Sequence, residues 1–247
     1  MIVTSRILEK QFGIDPEIAD YFANKRPVPQ NNRFWKNKRI YLSVGFGYLT
    51  IPFAFDLMHK CGIAKSVLLE DQHVALMEQG FDLLRGYEKN ELSFVEFTTG
   101  CMELVKDKVK QKHLAADLFA VLSGRETAYF SFEKKHKALA RSDHFLFTLV
   151  DLDLSDEWVA GFLKYWYAMA RPILLLDDFK DLEEDRRDNE ENTIIELGNN
   201  AAAIKAAYEF GLDDLAILET INPLLAAYMR AYLKDALNYK AVREELN

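Results

Sequence analysis

Between Ser155 and about Arg187 runs a helical pattern that turns from apolar to acidic without a break. Ser155 is a good N-cap, and Asp156-Glu157 suit the positive end of a helix dipole. Pro172 falls inside the pattern and predicts a kink. The apolar run Ile173-Leu174-Leu175-Leu176 is followed at once by Asp177 to Glu191, nine acids among fifteen residues. So apolar a stretch demands burial, which puts the carboxylates where a buried helix leaves the core. Asp177, Asp181 and Asp185 recur every four residues, a spacing that stacks them along one helix face about one turn apart. Carboxylates in such a row are solvated, paired with bases, or bound to hard cations such as Mg2+.

The 247 residues are 49% apolar, with only 11 Gly and 6 Pro, and show little β-type alternation. That predicts one all-α domain over residues 1–247, a helical bundle around a central apolar cavity. A net charge of −8 argues against a nucleic-acid backbone as partner. Cys61 and Cys101 do not make a disulfide framework and read as reduced, packed thiols, which suits the cytoplasm. Neither a signal peptide nor an integral membrane segment is expected. A homodimer is left open.

Along the chain, residues 5–24 predict one or two short helices, with Asp15-Pro16 as a start. Residues 25–38 read as a loop or short helix with a basic patch. Helices are expected over 40–61, broken or bent at Pro52, and over 64–84 with Gly86 as C-cap. Others are expected over 93–111, 114–123 stopping at Gly124, and 125–141 with a basic exposed face. The tail predicts helices over 200–210 and 213–245, the second kinked at Pro223.

The segment DDFKDLEED over 177–185 resembles the second metal-binding motif of the class I isoprenoid synthases, the terpene cyclases and trans-prenyl diphosphate synthases. Asp177, Asp178 and Asp181 match the DDxxD of the prenyl synthases. Asp177, Asp181 and Asp185 match the cyclase spacing, with acids replacing its usual Ser/Thr and Glu. Asn192-Thr193 and Gly198 look like the polar loop that often follows. The resemblance implies Mg2+-dependent loss of diphosphate from a prenyl diphosphate, then cyclisation in a dry aromatic pocket. The 17 Phe, 11 Tyr and 3 Trp are enough to line one. Asp177, Asp178, Asp181 and Asp185 would hold metal, with Asp177 and Asp181 catalytic. Metals of this kind turn a diphosphate into a good leaving group. Glu70-Asp71 would form the first acidic motif, with Val74 and Ala75 where a third acid is expected. Arg125-Glu126-Thr127-Ala128 is similar to the Lys-Thr-Ala segment of prenyl synthases, which makes Arg125 a diphosphate contact and catalytic residue. Lys134, Lys135 and His73 would complete the substrate side. Chain elongation by a prenyl diphosphate synthase and binding without turnover are the alternatives within the same resemblance.

A different chemistry is also written in the chain. Glu70/His73 and Glu133/His136 are two Glu-x-x-His pairs, and Glu103 lies midway between them. Two such pairs with two further carboxylates build a di-iron centre in a four-helix bundle. The fourth carboxylate is missing here, and three lysines crowd the second pair. A solvated acidic helix end, with Lys180, Arg186 and Arg187 pairing at i±3 and i±4, is the plain structural alternative.

Overall fold

A computed structural model describes residues 3–27, 46–132, 137–140 and 142–246. The expected loop and basic patch over 25–38 fall largely outside the described residues, as does the start of the apolar 40–61 segment. Among the described residues there are thirteen α-helices, one π-helical turn, one 3-10 helix and no strand. The chain is all-α. It divides into two compact units. Unit 1 holds residues 1–5, 15–132 and 142–163, and unit 2 holds 6–14, 133–141 and 164–247. Neither unit is a continuous stretch of chain.

In unit 1, Asp15 accepts from the Glu17 and Ile18 amides and Pro16 opens α2 (Pro16–Asp20). The π-turn Tyr21–Lys25 follows. Helix α3 (Phe46–Lys60) carries Pro52 in its interior. The expected 64–84 helix is two helices, α4 (Lys65–Leu68) and α5 (Asp71–Glu88). Gly86 is a buried interior residue of α5, and Asn90 beyond it takes the left-handed conformation, φ 56°. Asn tolerates that region better than most residues, so it takes over the role expected of Gly86. Helix α6 (Phe94–Glu103) is closed at its start by a capping box between Ser93 and Glu96. It ends short of the expected residue 111, and Gln111 itself caps the next helix, α7 (Lys112–Leu122). The Gln111 amide also donates to the Leu154 carbonyl and to Asp156.

The helix expected over 125–141 is absent from its described first part. Buried Asp117, on α7, accepts from the amides of Ala128, Tyr129 and Phe130 at 2.9, 2.8 and 2.6 Å. Those N–H groups are then lost to any helix ladder. Helix α8 (Lys137–Ala140) lies in unit 2. Unforeseen is the 3-10 helix Asp143–Leu149, all seven residues of which are buried. Phe81 of α5 stacks on its Phe145 at 4.4 Å. Phe22, Phe53, Phe55 and Phe97 supply the largest side chains of this core.

Helix α9 (Asp156–Asp188) is the 33-residue helix the sequence predicts, with Ser155 Oγ accepting from the Trp158 amide. Its residues through Leu163 belong to unit 1 and the rest to unit 2. In unit 2 follow α10 (Thr193–Glu196), α11 (Ala201–Glu219), α12 (Pro223–Ala236) and α13 (Lys240–Leu246). The break expected near residue 211 falls at 220–222 instead. Gly211 stays helical and buried, and Pro223 opens α12 as its first residue. Pro there lacks only an amide that a helix start leaves unpaired. Helix α1 (Ser5–Phe12) also belongs here, apart from Ser5. Trp166, Phe12, Phe179 and Leu8 are fully enclosed. No helix among the described residues is long and apolar enough to cross a membrane.

Candidate functional site

The acidic run lies on α9 as far as Asp188, but its carboxylates do not share a face. A spacing of four residues overshoots the helical turn by about 40° per step. Asp177 is therefore exposed, Asp181 half-buried and Asp185 only 9% exposed. The buried companion of Asp185 is Asp178, seven residues earlier and 1% exposed, on the side that carries Leu175 and Leu182. The row expected at 177, 181 and 185 thus splits: Asp177 and Asp181 form an outward pair, while Asp185 joins Asp178 in an inward pair.

The inward pair has protein partners. Asp178 Oδ2 accepts from the Thr193 amide at 2.9 Å, and Asp185 Oδ2 accepts from Asn192 Nδ2 at 2.7 Å. Asn192 Nδ2 also donates to the Asp178 carbonyl at 2.7 Å. Asp181 meets Lys180, whose Nζ lies 2.7 and 2.9 Å from its two oxygens. That hydrogen bond pushes the Lys180 ammonium pKa up despite the opposing effect of burial. Further along, Arg187 pairs with Asp188 and Glu184, and Arg186 reaches Glu245 and Asn199.

The first acidic motif belongs to unit 1. Glu70 is the exposed N-cap residue of α5 but makes no capping hydrogen bond through its side chain. Asp71 follows it with its side chain 87% exposed, and accepts from Arg26 Nη1 at 2.9 Å and from the Tyr21 hydroxyl at 3.3 Å. The same Arg26 lies along buried Glu78, Nε to Oε1 at 3.0 Å and Nη2 to Oε2 at 2.7 Å. Arg26 and Glu78 thus form a bidentate pair that sequence spacing does not reveal.

His73 is 4% exposed, against Phe55, with Nδ1 3.4 Å from Asp151. Arg125 is exposed in the non-helical segment after α7, its guanidinium 5.3 Å from the Phe119 ring centre. Lys134 and Lys135 lie outside the described residues. So do Glu133 and His136 of the di-iron alternative. Its Glu103 is exposed and paired with Lys106. Among the described residues no three His, Cys, Asp or Glu side chains are grouped to hold a metal ion. Within unit 1 a small pocket, with room for about one water molecule, lies among Leu76, Met77, Gly80, Cys101, His144 and Phe145. Both thiols are free, and burial pushes Cys61 up to about 11 and Cys101 to about 12.

What this arrangement offers chemically is two accessible carboxylates one turn apart on a helix held from behind, with an ammonium beside them. Comparison with protein-family models, with curated proteins and with solved structures returned no match.

Proposed function

We propose that the acidic end of α9 binds the diphosphate of a prenyl diphosphate together with Mg2+, as its resemblance to class I isoprenoid synthases implies. The substrate then loses diphosphate and is cyclised or rearranged. The observation that carries this reading is the placement of Asp177 and Asp181. They stand about a turn apart on α9 straight after the turn of Ile173, Leu175 and Leu176, all buried.

Mg2+ usually takes one or two carboxylates and fills its octahedron with phosphate oxygens and waters. Asp177 and Asp181 fit a cation shared with a diphosphate. The described residues do not fit a closed, all-protein metal cage, since no group of three ligands is present among them. Bound there, Mg2+ would neutralise the diphosphate and favour its departure. Lys180, now on Asp181, is long enough to turn to a phosphate oxygen once the carboxylate is engaged. Asp178 and Asp185 are assigned to the support of the helix end. Substitution of Glu70, Asp71, His73 and Arg125, all in unit 1, tests separately the roles that the resemblance gives them.

The test is incubation with geranyl, farnesyl and geranylgeranyl diphosphates plus Mg2+, with products read by gas chromatography–mass spectrometry. A hydrocarbon or alcohol that disappears in Asp177→Ala supports cyclisation. A longer prenyl diphosphate, formed when isopentenyl diphosphate is added, supports chain elongation instead. No product from folded protein contradicts turnover.

A further inference from the structure

We infer that Asn192 is a positioning residue for the cation-binding face of α9, acting through the buried carboxylates of Asp178 and Asp185. The inference rests on the reading of Asp177 and Asp181 proposed above and adds what holds them in place.

Asn192 is 0% exposed, and its carboxamide is fully used. The Oδ1 atom caps α10, accepting from the Ile194 and Ile195 amides at 2.9 and 3.4 Å. Both Nδ2 hydrogens go to α9, one to the Asp178 carbonyl and one to the Asp185 carboxylate. The next residue adds the bond from its amide to Asp178 Oδ2. Residues 192 and 193 therefore grip α9 at two points two turns apart. Asp177 adjoins the first point, and Asp181 lies between the two.

Helix ends fray, and α9 stops at Asp188, three residues past Asp185. Two carboxylates sharing one small octahedral cation need a fixed spacing, and holding them in it beforehand removes an entropic cost from binding. Asn192 is suited to this because one neutral amide supplies two donors and an acceptor. An aspartate in its place would set a third carboxylate against two buried ones.

Three variants and one ligand decide the matter: Asn192→Ala, Asn192→Ser and Asp214→Asn, each titrated with inorganic diphosphate in excess Mg2+ by calorimetry. Serine can still cap α10 but cannot supply the two bonds to α9. Asp214→Asn lowers stability elsewhere in unit 2 and serves as the control for a merely structural effect. The expected result is at least ten-fold weaker binding in both Asn192 variants, at a temperature where circular dichroism shows them folded, with Asp214→Asn binding like wild type. Wild-type affinity in Asn192→Ser overturns the inference, and so does equal weakening in Asp214→Asn. Absence of binding by the wild-type protein is seen before any substitution. It removes the reading of the site itself, and the role of Asn192 with it.

Discussion

The guanidinium of Arg171 lies along the carboxylate of Asp214, Nε 2.8 Å from Oδ2 and Nη2 against Oδ1, with the Phe210 ring centre 4.6 Å away. The pair joins α9 to α11, one residue before Pro172 and two turns before the acidic run. Both side chains are largely buried. A buried ion pair adds little over a good apolar packing, but breaking one leaves an uncompensated charge. Asp214→Asn is therefore expected to cost about 3 kcal/mol in urea unfolding. The double change Arg171→Met with Asp214→Leu should recover most of that loss. Equal stability of wild type and Asp214→Asn would remove the pair from the account.

The two kinds of aspartate on α9 should separate by stability alone. Asp178→Ala strips the acceptor from the buried Thr193 amide and is expected to cost about 2 kcal/mol. Asp177→Ala changes an exposed side chain and should stay within about 0.5 kcal/mol of wild type. Chemical denaturation of the two variants side by side checks this, and a reversed order would contradict the division into inward and outward pairs.

Gly13 has φ 66°, and a Cβ built there would stand 2.5 Å from Asn222 Oδ1. That oxygen caps α12 through the Leu225 amide, while Asn222 Nδ2 donates to the Phe12 carbonyl. Gly13→Ala combines the left-handed backbone with a displaced cap, and an expected loss of about 2 kcal/mol follows. A thermal melt unchanged from wild type would refute it.

Asp15 links pH to stability in unit 1. Burial pushes its carboxyl pKa up, but Lys65 and the amides of Ile18 and Glu17 outweigh that and hold it below the usual value. A carboxylate depressed in the folded state contributes fully above its unfolded pKa, about 4. The contribution is lost as pH falls through the folded value. Melting temperature should thus drop below about pH 4, and less steeply in Asp15→Asn, which keeps the cap but cannot titrate. An identical acid limb in that variant would contradict the assignment.

Much of the fold was legible because helix signals are local. Ser155, Asp15-Pro16 and Gly124 mark ends where the spacing predicts them. The misplaced ends have long-range or positional causes. Asp117 draws in the amides of 128–130 from eleven to thirteen residues away, so the helix expected from 125 does not form over residues 125–132. Gly211 reads as a breaker but is kept helical, with Leu233 and Leu175 packed where a side chain would stand. At the candidate site the residue types were visible and the faces were not. A four-residue spacing looks like a stripe, yet its drift around the helix buries Asp185 beside Asp178. The bond from Asn192 to Asp185 is equally hidden until the chain has turned back on itself.

Cation-dependent diphosphate binding at Asp177 is read by thermal unfolding with inorganic diphosphate, with and without Mg2+, in wild type and in Asp177→Ala. A rise of several degrees is expected that needs both ligands together and vanishes in Asp177→Ala, a change that leaves the unliganded melt nearly in place. No rise in the wild-type protein, or the same rise in Asp177→Ala, would contradict it.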